Sequence, residues 1–351
     1  MSRTESHTHH ATTAPRWLIP PLFQIILICI TSVILTLMLY HRLSIFKARD
    51  PMPKYHVINP KSFREFGSFA NEMNVGLFID EYENFNLSDN TFLFTGEIWF
   101  LFDPGIISLE TLEKFSFAFG QILSRSEART SLVNDKLFVR YNIRVQHSST
   151  LDLTDFPLDN HHIFIQFQNQ YISPSEILFV TNYRDFTAQS NSSIFGWDQR
   201  DLFLETGYQE DVLDPFDNKK TAFYPIVLFY IEYKRSSIQQ IITIFLPLLL
   251  IFYVILFSFT IRETSTSISL SAGSVTGILA YRFVIANISP KVGYFMLSDY
   301  LFFLFLAVST FIFLMNISDI YYHKLRLFAK KIFLICVHIF INIATAYLLF
   351  A

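Results

Sequence analysis

Cysteine is nearly missing from this 351-residue chain: Cys29 and Cys336 are the only two, both inside apolar runs and far apart. They exclude a disulfide framework for any water-facing part, and so few thiols do not fix the redox compartment. Also missing are a Gly-rich phosphate loop, a Gly-x-Ser-x-Gly elbow and a His-Glu-x-x-His pair, which mark nucleotide chemistry, acyl transfer and zinc hydrolysis. Neither an enzyme nor a cofactor is therefore expected. His161 and His162 lack cysteine or acidic company at a metal-binding spacing, so no metal site is expected. Their near-neutral titration leaves proton sensing open. No nucleic-acid partner is expected. Acidic residues thin out sharply along the chain: 65–234 holds 25 Asp+Glu against 11 Lys+Arg, whereas 235–351 holds 3 against 8.

Apolar residues make up 51% of the chain and its mean hydropathy is +0.34, which calls for a membrane part plus a water-facing part. Residues 1–16 form a polar tail with His7, His9 and His10, and a solvated tail suits them better than a metal site. Residues 17–41 carry the apolar run Trp17–Tyr40, long enough to span a bilayer. No small-residue cleavage site follows it, so it is expected to stay as an anchor, kinked near Pro20 and Pro21. Residues 42–73 are expected to be a stalk with a short helix around Lys61–Met73. From 74 to 236, short alternating runs such as TFLFTGEIWFLF and KLFVRYNIRV, separated by turn signals, predict an all-β antiparallel sandwich. Residues 237–351 hold four spans, Ile238–Ile261, Ser265–Ile288, Met296–Ile317 and Ile332–Phe350.

The 318–331 loop carries Lys324, Arg326, Lys330 and Lys331, which places it in the cytoplasm. Counting back, the sandwich is extracytoplasmic and the amino-terminal tail cytoplasmic, in a multi-pass protein of the inner or plasma membrane. Only the basic stretch Arg42, Lys47, Arg49 and Lys54 runs against this topology.

The second of the four spans is wrong for lipid. It contains Ser267, Ser269, Ser271, Ser274 and Thr276, two glycines and Arg282. Polar groups at membrane depth mark a cavity, a partner or a water-filled path. Gly273 and Gly277 also make a small-residue packing motif, so helix contact stays open beside pore lining.

Three stretches in the right order resemble the pentameric ligand-gated ion channels. LDLTDFPLDNHHIFIQF resembles their signature loop, with Phe156, Pro157, Leu158 and Asp159 at its core. The loop is unclosed, as in bacterial members, because the family's cysteine positions fall near Ser149 and Ile163. KRSSIQQIITIFLPLLLIF resembles the passage into the first span, with Arg235 and Pro247. ANISPKVGYFMLSD resembles the linker after the pore helix, with Pro290 and Lys291. The strands from Val75 to Pro104 resemble the first hairpin. The resemblance covers about residues 75–351; the extra amino-terminal span lies outside the family plan, and no Trp-x-Pro region is evident around Lys114–Phe119.

The resemblance implies an immunoglobulin-like sandwich above a four-helix transmembrane bundle, assembled as a homopentamer in the lipid bilayer. It implies a ligand- or proton-gated channel, with an unknown small ligand or protons as the trigger. Aligned through Pro290, the pore stripe would be Ser269, Gly273, Thr276, Ala280, Phe283 and Asn287. Their spacing of three and four keeps them on one helix face. Phe283, with Ala280, would form the constriction, since an apolar ring closes a narrow pore by dewetting. A bulky apolar residue is missing where Thr276 sits. Arg282 is expected to face a neighbouring subunit or to snorkel outward. Glu263, Ser265 and Thr266 are the selectivity candidates; Arg262 beside Glu263 leaves the sign open, and the acidic sandwich favours cations. Pro157, Asp159, Arg235, Pro247, Pro290 and Lys291 would carry gating and coupling. Phe115, Phe117, Phe119, Phe167, Tyr171, Tyr208 and Tyr224 are the ligand-binding candidates, since aromatic faces hold cationic ligands. The alternative is a non-conducting, channel-like receptor or scaffold that binds through its sandwich.

Overall fold

The computed structural model describes residues 19–58, 71–86, 90–189, 194, 196–213, 216, 220–236, 238–321 and 327–350. The polar tail, Trp17, residues 61–70 of the expected stalk helix, Lys324 and Arg326 lie outside the described residues.

Chain order begins with helix α1 (Pro21–Ser44) and strand β1 (His56–Val57). The sandwich strands follow: β2 (Asn71–Asn86), β3 (Thr91–Phe102), β4 (Ser116–Phe117), β5 (Gly120–Arg125), β6 (Arg129–Val133), β7 (Lys136–Ser148), β8 (Asn160–Gln168), β9 (Ile177–Val180), β10 (Phe186–Ala188), β11 (Trp197–Val212) and β12 (Thr221–Arg235). Among the described residues the helical turn α2 (Leu109–Leu112) and a 3-10 turn, Tyr183–Asp185, interrupt them. Then come α3 (Ile238–Ser258), α4 (Thr264–Ile288), α5 (Leu297–Tyr321) and α6 (Leu327–Phe350).

Two sheets face each other. One has the order β1-β11-β12-β8-β4; the other runs β10-β2-β3-β7-β5, with β6 on β7 and β9 on β2. Pairing is antiparallel except for β9 and β10, which join β2 in parallel. In β3 every second residue is buried, so Phe92, Phe94, Ile98, Phe100 and Phe102 all enter the core, the period of a half-buried strand. Gly96 holds the same inward row, where a Cβ would sit 2.1 Å from the Phe78 carbonyl oxygen, so only glycine fits.

Among the described residues, five helices are long and apolar enough to cross a membrane: α1 and α3 to α6. In α1 the usual pattern is inverted. Gln24 and Thr31 are buried, while Leu22, Ile25, Ile26, Ile30, Val33 and Leu37 are exposed. That is the arrangement of a helix solvated by lipid, with polar side chains turned to partner helices. His338 of α6 receives them: Thr31 Oγ1 is 2.8 Å from its Nδ1 and Gln24 Nε2 is 3.3 Å from its Nε2. On α3, Ile241, Ile244, Leu248, Phe252 and Ile255 form the buried face; the last four share a cluster with Phe302, Phe305 and Ile312 of α5, and Ile241 packs with Leu297 and Leu301.

Several boundaries differ from the sequence reading. Asn71–Met73 begin strand β2 rather than ending a helix, held by parallel pairing with β9. Pro20 and Pro21 start α1 instead of kinking it, because the first helical turn needs no proline N–H. Helix covers residues 318–321 and 327–331 of the expected cytoplasmic loop. Pro247 does lie inside α3.

Candidate functional site

On α4 the described side chains sort into two faces. Ser267, Ser271, Ser274, Ile278 and Ile285 are buried. Ser269, Gly273, Thr276, Ala280, Phe283 and Asn287 are all exposed, and Phe283 is 75% exposed. Of the buried serines, Ser267 reaches α3, its Oγ donating to the Ser258 carbonyl (2.8 Å), while Ser271 and Ser274 donate to the Ile268 and Leu270 carbonyls of their own helix; Ser258 Oγ in turn accepts from Asn316 Nδ2 of α5 (2.8 Å). Gly277 packs on Ile251 of α3, whereas a Cβ at Gly273 would meet nothing within 4 Å. The small-residue motif therefore divides: Gly277 serves helix packing within the chain and Gly273 faces open space.

Arg282 belongs to neither face. Its guanidinium pairs with Asp299 of α5 and lies 5.4 Å from the Phe302 ring centroid. Arg282 thus has a partner within its own chain, which the expectation of a neighbouring subunit or an outward reach did not include. Asp299, buried at the start of α5, was not singled out from sequence; an acid at a span's first turn was its signal.

Before α4 the Glu263 carboxylate accepts from Ser265 Oγ (3.1 Å) and Thr266 Oγ1 (2.8 Å). The three selectivity candidates are therefore brought together, with an oriented anion at a helix N-terminus, where the macrodipole favours it. Arg262 is exposed beside it.

The second cluster lies where the sandwich meets the helices. Arg235, the last residue of β12, grips Asp159 with Nε on Oδ1 and Nη2 on Oδ2, each at 2.9 Å. Both side chains are buried. Nη1 donates to Gln240 Oε1 of α3 at 2.7 Å, and the guanidinium lies 4.3 Å from the Trp197 ring centroid. His161 is wedged between carboxylates, Nε2 2.7 Å from Asp159 Oδ2 and Nδ1 2.9 Å from Asp50 Oδ1. Both ring nitrogens can donate to acceptors only in the imidazolium form. The chain Asp50–His161–Asp159–Arg235 thus alternates in charge and is neutral as a whole.

Burial pushes the His161 pKa down, but the bonds to Asp159 and Asp50 outweigh it and hold the group at about 9. Burial pushes the Asp159 pKa up, but Arg235 and His161 prevail and hold it well below the carboxylate range. His161 therefore stays charged at neutral pH and does not serve as a proton sensor there. Raised above its ordinary 6.5, its stabilisation is full below that pH and is lost as pH rises through about 9. The Asp159 contribution is present above its ordinary 3.8 and is lost as pH falls through its depressed value. We expect His161→Gln to flatten the alkaline decline in melting temperature between neutral pH and about 9.5. An unchanged slope would remove His161 as its source. His147 is also buried; burial lowers its pKa to about 4, so it stays neutral while Nε2–H donates to the Phe164 carbonyl (2.6 Å).

The loop between Leu151 and Asp159 is tied to the helices at several points. Phe156 is buried against helix residues, and the Phe156–Pro157 bond is cis. Leu158 packs with Ile241, Leu297, Leu301 and Leu349, joining α3, α5 and α6. The Leu297 N–H donates to the Thr154 carbonyl (2.7 Å), and the Leu153 N–H to the Tyr294 hydroxyl (2.9 Å). Pro290 and Lys291 lie in the same α4–α5 connection. Lys291 is exposed and lines a hollow with Arg282 and Asp299; it forms no ion pair among the described residues. The expected Asp159–Arg235 contact is present without it. Asp50 and Trp197 complete the cluster and were missed, because their contacts span long sequence distances.

The aromatic candidates separate as well. Phe115, Phe117 and Phe167 come together, but as core: their rings contact one another inside the sandwich. This corrects their reading as pocket walls: Phe117 on β4 and Phe167 on β8 turn into the core, and Phe115, just before β4, packs with them. Tyr224 is buried, with its hydroxyl donating to Asp211 (2.9 Å). Phe119 and Tyr171 are exposed, Lys114 lies 5.4 Å from the Tyr171 ring centroid, and Tyr208 stacks on His56 at 5.1 Å. No group of three or more His, Cys, Asp or Glu able to hold a metal occurs among the described residues. No protein-family model and no curated protein matches the chain.

Proposed function

We propose that the chain is one subunit of a pentameric ligand- or proton-gated ion channel that conducts cations. The observation that carries this reading is the division of α4: Ser269, Gly273, Thr276, Ala280, Phe283 and Asn287 lie exposed in one helical stripe, flanked by exposed Leu279 and Val284, while serines and isoleucines turn inward. A hydroxyl stripe gains nothing from lipid, so a water-filled axis shared by five copies is its natural surrounding. In this reading α3 to α6 form the four-helix bundle and α4 lines the pore. The immunoglobulin-like sandwich is the extracytoplasmic ligand domain, in an inner or plasma membrane. The oriented Glu263 at the cytoplasmic mouth and the acidic outer domain favour cations. Exposed Phe119 and Tyr171, with half-buried Tyr208, remain the aromatics for a ligand.

Thr276 favours a second reading. With a hydroxyl in mid-stripe, no apolar ring stands at that level, which also suits a non-conducting receptor that binds through its sandwich. Recordings from purified full-length protein in bilayers, with ion substitution and a pH series, decide between them. Cation current with pentameric mass is the expected result. Protein that stays silent across ligands and pH would sink the channel reading.

A further inference from the structure

The amino-terminal helix stands outside the family plan, and its junction residues are not idle. Arg42, in the last turn of α1, is buried and bonds Asp155 at 2.6 Å; Arg49 reaches the same carboxylate at 3.7 Å. Between them the chain runs along the sandwich base. Ala48 bridges to Asn160, Asn160 Nδ2 donates to the Ile45 carbonyl (3.4 Å), and Phe46 contacts the His162 ring at 5.4 Å. Asp50 then closes the segment. Beyond its bond to His161, it accepts the Asp152 N–H (2.8 Å) and the His162 N–H (2.7 Å), one on each side of the loop. A basic stretch that opposes the positive-inside rule is thereby explained: two of its charges, Arg42 and Arg49, answer Asp155, not a lipid surface.

We propose that residues 42–50 are a strap through which α1 controls the 151–159 loop and, through it, the connection between α4 and α5. A carboxylate holding two backbone amides and an imidazolium fixes the loop from one side. The Leu153–Tyr294 and Thr154–Leu297 bonds carry its position to the α4–α5 connection from the other. A displacement of α1 in the membrane thus reaches the end of α4 without passing through the sandwich core. The gating consequence rests on the channel reading; the mechanical link does not.

The test uses full-length protein and two readouts. Amide exchange followed by mass spectrometry is the first, on residues 152–158 and 289–297, with β3 as internal control. Arg42→Ala is expected to speed exchange in both segments by about tenfold, the effect of about 1.4 kcal/mol lost from local closure, and to leave β3 unchanged. Asp50→Asn should do the same and guards against a folding defect in the first variant. The charge exchange Arg42→Asp with Asp155→Arg should restore both segments. Faster exchange confined to 152–158, or no change in either variant, would overturn the link. The second readout is the activation curve, whose midpoint should move with Arg42→Ala and return with the exchanged pair. A conducting protein whose midpoint ignores Arg42→Ala would overturn control of gating. A silent wild type would instead remove the channel reading, while the exchange data still decide the strap.

Discussion

Asp159→Asn is expected to destabilise the folded protein by about 3–5 kcal/mol, because it leaves two buried cations without their shared anion. Arg235 loses a two-point charge-assisted grip and His161 loses one of its two carboxylates. Neither group can turn to water, since both are buried. The shape of the side chain is kept, so packing loss does not account for the effect. Thermal unfolding of the detergent-solubilised protein, read by a size-exclusion assay, measures it. Adding Arg235→Gln should cost less than the sum of the two single changes, as expected for residues in one network. A loss under about 1 kcal/mol for Asp159→Asn would mean the site is wetter than its geometry implies.

If the chain forms the proposed channel, Phe283→Ala is expected to raise current in the absence of any ligand. The ring is the largest group in the exposed stripe of α4 and is 75% exposed. Five such rings around an axis would exclude water and hold the path shut. Loss of even about 1.4 kcal/mol of closure changes the closed-to-open ratio about tenfold. Val284, one position on, is exposed in a different direction and serves as the control, with Val284→Ala expected to leave unliganded current unchanged. Equal effects of the two substitutions would remove Phe283 as the constriction.

Long periodic features were legible in the sequence. The four carboxy-terminal spans were placed to within a few residues, and the alternation of β3 was plain. The stripe on α4 was readable because helical spacing converts directly into a face. What could not be read were partners chosen by tertiary contact. Asp50 and His161 are 111 residues apart, and nothing local announces their bond. The basic stretch before Asp50 was read as a flank with a charge bias, whereas two of its arginines bind Asp155. The aromatic candidates failed for a related reason. With 40 phenylalanines in the chain, only burial separates a pocket wall from core packing, and it sent Phe115, Phe117 and Phe167 inward.

The two-faced character of α4 also bears on how the chain is made. It is the least apolar of the five membrane-length helices, and its hydroxyls lie on both faces. Alone at the insertion machinery it would partition poorly. Its neighbours α3 and α5 are far more apolar, and Ser258 on α3, itself held by Asn316 on α5, is a polar partner for its first turn through Ser267. Insertion of α4 is therefore expected to depend on both neighbours, so that a chain cut between α4 and α5 should hold α4 in a bilayer less firmly than the full chain does.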